Sequence, residues 1–527
     1  MDRREFLKQT ALGIGALSLG NGLLGCAGLT DEKPNIMLIM VDDMGYSDLG
    51  CFGSEIPTPN IDKLAQNGVR YTHFYNAARC CPSRASILTG LYPHQAGIGG
   101  MVSAKYGNPA YQGYLNNESV TLAEVLKSSG YSTYMSGKWH VGEERPNWPR
   151  DRGFDEYFGL IGGAANYFDI KKSKAEDAIR TMALNDEPWT PPEDGFYMTN
   201  AITDKAVEYV KKSGQEENPF FMYVAYTAPH WPLHALPEDI EKFIGKYTGG
   251  WDEVRETRYQ RMLEMGILEE SWALSPRDEE IPPWEEVTDK EKRDRLFAIY
   301  AAMIYRLDIG IGQIMDELEA QGKLENTLVM FVSDNGASSE YGVFGRDSRN
   351  NGVEIGGEDS YHTYGLSWSN ASNTPFRENK KWTHEGGIAT PFIASWPAVI
   401  KKGGTINRDV GHIVDVMATC IDVAGVEYPT EYNGNSIKSM EGRSLVPTLM
   451  GKQGAERGDL FWEHLGNRAA RRGKWKLVAE KKGDWELYDM DSDRSELNDL
   501  STEMPELRDE LIQAWKSWAE RVGVEHI

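Results

Sequence analysis

Apolar and polar positions follow two regimes along the chain. Continuous apolar runs recur at Pro34–Val41, Phe220–Tyr226 and Thr327–Val332. A run of that length without alternation predicts a strand buried on both faces, as in a parallel sheet. Between these runs the spacing is helical. Pro59–Gln66 predicts a short helix, with Thr58 as N-cap, Pro59 at the first position and Gly68 as its stop. Val120–Ser129 predicts another, closed by Gly130. A long helical stretch starts at Thr288, where Thr288 and Glu291 form a capping box, and ends at Gly322. Val69–Tyr75 and Tyr131–Met135 predict further strands. Strands alternating with helices predict an α/β fold, a large mostly parallel or mixed sheet sandwiched by helices. After about residue 455 the period becomes two. Trp475–Val478 and Trp485–Tyr488 flank Lys482-Gly483, predicting a small antiparallel sheet, and a terminal helix follows from Pro505 to about Arg521. The expected organisation is a catalytic α/β unit over 33–454, with a polar, aromatic-rich, Pro-punctuated insertion at about 235–286. A small α+β subdomain follows over 455–527.

The first residues do not fit this scheme. Met1 to Lys8 is basic, no charge falls between Lys8 and Asp31, and the apolar stretch ends in Leu23-Leu24-Gly25-Cys26. This is a targeting segment over 1–26 rather than fold. Arg3-Arg4-x-Phe6-Leu7-Lys8 resembles a bacterial twin-arginine export signal, and Leu23–Cys26 resembles a lipobox with Cys26 as the lipidated residue. Cleavage near Ala27 without lipidation is the alternative. The segment predicts an exported protein of the bacterial periplasm or cell envelope. It would meet the export machinery and touch membrane only through a lipid anchor. Beyond it no apolar run reaches the ~20 residues of a membrane span.

Composition narrows the partners. Eighty acidic and 56 basic residues give a net charge of −24, which argues against a nucleic-acid binder, because such binding rests on Lys/Arg–phosphate contacts. A locally positive site for an anionic small substrate remains compatible with an acidic chain. The five cysteines, Cys26, Cys51, Cys80, Cys81 and Cys420, show no CxxC spacing. Adjacent Cys80 and Cys81 do not bridge easily, so no disulfide framework is expected.

Candidate chemistry sits where buried strands end, the usual ligand edge of an open α/β sheet. Two such strands end in Asp42-Asp43 and Asp334-Asn335. Three carboxylates and an amide, with no Cys or His, suit a hard cation such as Ca²⁺ or Mg²⁺ better than Zn²⁺. Asp pairs also serve as turns and caps. Cys80-Cys81-Pro82-Ser83-Arg84 leads into Leu88-Thr89-Gly90, and Pro82 can start a helix whose positive end favours anions. The residues alone leave Cys80 as either a nucleophile beside Arg84 or a buried structural thiol.

Cys80-x-Pro82-Ser83-Arg84 followed by Leu88-Thr89-Gly90 resembles the signature of the type I sulfatases. The resemblance covers nearly the whole chain after residue 33. Asp42-Asp43-Met44-Gly45, Pro57–Asp62, Gly137-Lys138-Trp139-His140, Ala228-Pro229-His230, Ser333-Asp334-Asn335-Gly336 and Lys380 before Glu385-Gly386-Gly387 fall in family order. Bacterial arylsulfatases are the nearest branch, through Gly250-Trp251-Asp252 with Arg255, Arg258 and Arg261, Leu274–Arg277, and His384–Pro391. Ala389 stands where many sulfatases carry Arg, and Glu378-Asn379 replaces the small residues usual before the Lys.

The resemblance implies an alkaline-phosphatase-like fold and a sulfuric ester hydrolase. Cys80, not Cys81, would be oxidised to formylglycine (3-oxoalanine) by a dedicated maturation enzyme. Asp42, Asp43, Asp334 and Asn335, with residue 80, would hold one metal ion, Ca²⁺ ahead of Mg²⁺. Lys138 and Lys380 would bind sulfate oxygens, Arg84 would orient the hydrated aldehyde, and His230 or Lys380 would protonate the leaving oxygen. His140 would be the base that returns the aldehyde. A thiol or serine lacks the second hydroxyl that this return requires. Of the other histidines, His94 and His384 flank these motifs and are candidates for substrate contact. The expected substrate is an aryl sulfate in vitro and a sulfated carbohydrate in vivo, with Trp and Tyr of the 235–286 insertion available either for sugar rings or for core packing. The alternatives are a phosphonate or phosphodiester hydrolase of the same superfamily, and an inactive lipoprotein that binds sulfated glycans.

Overall fold

The computed structural model describes residues 32–103, 107–172, 180–346 and 352–525; the twin-arginine and Cys26 segment lies outside the described residues. Ten strands form one sheet. They are β1 (Asn35–Val41), β2 (Val69–Tyr71), β3 (Ser132–Gly137), β4 (Glu156–Leu160), β5 (Met182–Leu184), β6 (Glu187–Trp189), β7 (Phe220–Ala225), β8 (Thr327–Ser333), β9 (Phe392–Ser395) and β10 (Thr405–Asn407). Their order is β10-β2-β9-β8-β1-β7-β3-β4-β5-β6. The central strands β8, β1, β7, β3 and β4 are parallel. Antiparallel pairs appear where β9 joins β8 and β2, and where β5 joins β4 and β6. The sheet is mixed; its parallel centre holds the three continuous apolar runs.

β1 is buried along its whole length. Met37, Ile39 and Val41 face a layer that includes α1 (Pro59–Gln66), α4 (Met198–Ser213), α5 (Gly250–Glu264) and α6 (Lys290–Ala320). Ile36, Leu38 and Met40 face the layer of α2 (Cys80–Thr89), α3 (Leu122–Ser128) and α7 (Asp415–Ala424). Both faces are therefore apolar, which is why this strand reads without alternation. Each such aliphatic side chain withdrawn from water contributes about 1.5–3 kcal/mol.

The C-terminal part is an antiparallel sheet of β11 (Leu460–His464), β12 (Asn467–Arg472), β13 (Trp475–Ala479) and β14 (Glu486–Asp489), covered by α8 (Pro505–Val522). Its period-two pattern has two apolar destinations. Trp462, Ala469, Val478 and Tyr488 join the main core, and Ala470, Leu477 and Leu487 pack with Leu511, Trp515 and Ala519 of α8.

Two expectations change, and one open alternative is decided. The strand over Val69–Tyr75 is divided. β2 pairs with β9 and β10, whereas Phe74-Tyr75 pairs separately with Gly411-His412, so the chain bends at Thr72-His73. The long helix begins at Lys290 behind Asp289, without the Thr288/Glu291 capping box; Arg293 holds the Asp289 carboxylate instead, its Nε 3.0 Å from Oδ1. The insertion's tryptophans are core. Trp251, Trp272 and Trp284 are buried, and Trp251 meets Trp284 edge-on at 4.8 Å. No described helix is long and apolar enough to cross a membrane.

Candidate active site

Register brings the motifs together. Val41 pairs with Ser333, Met40 with Ala225, and Gly137 with Ala225. Four adjacent parallel strands thus end at one level, and the chain that leaves them carries Asp42-Asp43, Asp334-Asn335, His230 and Lys138–His140. This is the carboxyl edge at which open α/β sheets bind ligands. Gly137 is required at the rim. Its φ is +120°, and a Cβ there would stand 1.9 Å from the Ala225 carbonyl oxygen.

The oxygen donors form one buried cluster. Asn335 Nδ2 donates to Asp43 Oδ1 at 2.7 Å, and the Asp43 amide donates to Asp334 Oδ1 at 3.3 Å. Tyr300 of α6 donates to Asp48 Oδ2 at 2.7 Å, and Asp48 also takes Arg258 Nη1 at 2.6 Å, which braces the loop after β1. Asp42 Oδ1 and Asn335 Oδ1 are buried with no hydrogen-bond partner. Buried acceptors normally have one, so two unpartnered hard oxygens beside two further carboxylates fit a hard divalent cation. Burial and the adjacent Asp42 push the Asp334 carboxyl well above its ordinary range, a crowding that a cation relieves.

Cationic groups surround this cluster. Lys138 Nζ lies 2.5 Å from Asp42 Oδ2, and Lys380 Nζ lies 2.7 Å from Asp43 Oδ1. Arg84 grips Asp334 Oδ2 through Nη2 at 2.8 Å and Nε at 3.0 Å. His230 Nε2 is 3.5 Å from Asp43 Oδ2, while its Nδ1 is 2.5 Å from the Trp231 carbonyl oxygen. Lys381 stays at the rim, 3.9 Å from Glu340; Lys380 alone of the two reaches the cluster.

Cys80 opens α2, and its Sγ, Cys81 Sγ and a His140 ring nitrogen lie within 4.8 Å of one another. A hydrogen bond from Cys81 holds the Cys80 thiol well below its usual range against the upward push of burial, helped by Lys138 and His140. Burial, with Lys138, lowers His140 against the opposing pull of Cys80. Gly163 packs on that ring, where an added Cβ would stand 2.5 Å from Cε1. Cys51 and Cys420 are buried thiols pushed up by burial, and none of the described cysteines is in a disulfide.

Two expected contacts fall elsewhere. His94 Nε2 lies 2.9 Å from Glu463 Oε2, and His384 Nε2 lies 3.3 Å from Glu486 Oε2. Both partners belong to the C-terminal sheet, so these histidines tie that sheet to the main unit rather than join the cluster. The structure adds residues that the motifs do not single out. Arg79 Nη2 pairs with Glu340 Oε1 at 3.0 Å. Against burial, Lys380, Arg79 and His230 hold Glu340 far below the usual carboxylate range. His464, at the end of β11, is buried with both ring nitrogens unpartnered, and burial and Arg79 push it down to about 3. Arg79 is next to Cys80 in the chain, the one sequence signal among these; Glu340 and His464 reach the site only through the fold.

A mixed sheet between helical layers, with a cationic, oxygen-rich site at the carboxyl ends of its central strands, defines an alkaline-phosphatase-like hydrolase. The sulfatase family model matches residues 34–426, and a C-terminal model described as N-sulphoglucosamine sulphohydrolase matches 377–519. The chain is 34% identical over 449 residues to an arylsulfatase of Klebsiella aerogenes, covering 83% of this chain and 96% of that one. It is also 34% identical over 484 residues to an uncharacterised sulfatase of Schizosaccharomyces pombe, covering 85% of each. The solved structure of Ps i-CgsB in complex with k-i-k-neocarrahexaose superposes with a TM-score of 0.69 at 26% identity, covering 93% of both chains. The chain belongs to the sulfatase family and is a sulfuric ester hydrolase.

Proposed function

We propose that this chain removes sulfate from a sulfated carbohydrate, using formylglycine made from Cys80 and a hard divalent cation of the Ca²⁺ class. The observation that carries this reading is the meeting of Cys80, Lys138 and His140 with the paired donors Asp42-Asp43 and Asp334-Asn335 at the ends of adjacent strands. Asp42, Asp43, Asp334 and Asn335 would hold the cation, which supplies charge to lower a nucleophile's pKa and polarise the ester. A hydrated aldehyde at position 80 supplies a nucleophilic hydroxyl and a second hydroxyl through which the residue regenerates.

The chain's own residues set the rest. Lys138 and Lys380 are placed to take sulfate oxygens and offset charge that develops there. Arg84 fixes Asp334 and so the floor of the site. His140, beside residue 80, can accept a proton from it. His230 stands over Asp43, where it can donate a proton to the departing sugar oxygen. A carbohydrate substrate is supported by the sugar in the Ps i-CgsB complex and by a canine relative named N-acetylgalactosamine-6-sulfatase, 27% identical over 451 residues, 83% of this chain and 70% of that one. The Arg3-Arg4 segment and Cys26 support export with a lipid anchor.

The test is peptide mass together with turnover, on protein matured in its own host. The residue-80 peptide should show loss of H₂S and gain of oxygen, with Cys81 still alkylatable, and the protein should hydrolyse 4-nitrophenyl sulfate faster than 4-nitrophenyl phosphate or its phosphodiesters. An intact Cys80 thiol with no sulfatase turnover would overturn the reading.

A further inference from the structure

The chain carries net charge −24, yet one cleft is cationic. It has a volume of about 680 Å³ and lies between the C-terminal sheet and the segment around Gly99–Tyr111. Arg468, Lys481, Lys482 and Lys516 line it, against two carboxylates, Glu463 and Glu525. Glu463 is already engaged: His94 and the Tyr111 hydroxyl meet its Oε2 at 2.9 and 3.3 Å, and the Gly466 amide donates to Oε1 at 2.7 Å. Lys481, Lys482 and Lys516 are exposed and form no ion pair with a described carboxylate. Arg468 is tethered by the Glu480 and Gly483 carbonyls and lies over Trp485 at 4.5 Å, which leaves its charge uncompensated. A cleft with a surplus of one sign of charge concentrates ligands of the opposite sign. The half-buried Trp485 gives the wall the mix of aromatic surface and few charged groups that ligand sites use.

Two walls of the cleft are tied to segments that also carry sulfate-site residues. The Gly100 carbonyl, in its wall, lies 3.7 Å from Cys81 Sγ, and Cys81 neighbours Cys80. Gly466 lines it too, and the next residue, Asn467, donates to the Lys381 carbonyl at 3.1 Å, one residue from Lys380. We propose that this cleft is a second-anion subsite: the substrate is an oligosaccharide whose sugar next to the one being desulfated bears a further negative group, held by Lys481, Lys482 and Arg468. The proposal rests on the sulfatase reading above and narrows its substrate class to polyanionic glycans.

Inhibition of 4-nitrophenyl sulfate hydrolysis tests it with three probes: sucrose octasulfate, trigalacturonic acid and inorganic sulfate, which addresses only the sulfate site. Sucrose octasulfate should inhibit. The ratio of its Ki to that of inorganic sulfate should rise about tenfold in the Lys481→Ala/Lys482→Ala double variant and return in Lys481→Arg/Lys482→Arg. Inhibition by trigalacturonic acid as well, with the same response, makes the recognised group any sugar-borne anion; inhibition by sucrose octasulfate alone makes it a sulfate. No inhibition by either sugar, or a ratio unmoved by the double Ala variant, would overturn the proposal. Should the wild-type protein turn over no aryl sulfate, the sulfatase reading fails, and calorimetric titration of sucrose octasulfate into wild-type and double-Ala protein tests the subsite by itself.

Discussion

Lys380 and Asp43 illustrate how charge is stored in this site. Lys380 is fully buried against Asp43, and its pKa is pushed far up despite burial because Asp43 and Glu340 both face it. It is therefore a fixed positive charge at any working pH. Its replacement by Ala should lower kcat on 4-nitrophenyl sulfate by about 10²–10³-fold in the folded fraction, the usual cost of one preorganised charge donor; a fall of less than tenfold would remove Lys380 from the reacting centre. The acidic side of the same cluster predicts a cation response. Asp42 Oδ1 and Asn335 Oδ1 have no partner, and Asp334 is crowded by Asp42. Adding Ca²⁺ to chelator-treated protein should stabilise it by about 2.7 kcal/mol at a hundredfold excess over Kd. Asp42→Asn should blunt that gain. Thermal melts in chelator and in calcium check both, and a wild-type melt indifferent to calcium would sink the cation assignment.

Elements decide which of these residues meet. The strand ends were legible because β1, β7 and β8 are apolar on both faces and the first polar residues after β1 and β8 are Asp42-Asp43 and Asp334-Asn335. The sulfatase motif located Cys80 and Arg84 for a different reason, its length. What escaped is long-range. The partners of His94 and His384 lie on the C-terminal sheet, Glu463 and Glu486, and nothing local to either histidine announces a carboxylate hundreds of residues away in one case. The insertion's aromatics were equally ambiguous, since an amphipathic ring suits a core and a sugar alike; packing of Trp251 against Trp368 and of Tyr247 against Phe297 decides for the core. The same sheet also braces the loop that presents Lys380. Lys476 of β13 bridges Glu385 at 2.9 Å and Glu496 at 2.7 Å, Arg494 adds a 2.9 Å contact to Glu385, and all four side chains are fully buried. Lys476→Ala strands Glu496 in the interior and leaves Glu385 to Arg494 alone, and should cost about 3–5 kcal/mol, read as a lower urea midpoint at constant m-value. A loss under 1 kcal/mol would mean that the cluster does not hold the sheet in place.

At the scale of the molecule, buried titratable groups set the pH range of the fold. His412 and His464 are pushed down to about 3 by burial, and His73 is lowered well below its ordinary value for the same reason. In the unfolded chain these three rings take up protons near pH 6.5. Folded, they do not. The unfolded state therefore binds more protons as pH falls below about 6.5, and stability must fall with it, by at most about 1.4 kcal/mol per ring for each pH unit. Glu385 and Glu486, held at about 2 despite burial, act in the same direction at lower pH: the stability they contribute is complete above about 4.5 and is lost as pH drops toward 2. On the other side, burial raises Glu378 to about 7 and Asp308 to about 6. Their unfolded forms ionise first, so these two groups subtract stability as pH rises from about 4 to 7. The depressed histidines and carboxylates outnumber the raised acids Glu378, Asp308 and Asp334. Stability should therefore plateau above about pH 7 and decline steadily on acidification. Urea midpoints measured between pH 4 and 9 at fixed ionic strength check this, and a maximum near pH 5 would mean that the buried histidines are protonated in the folded protein.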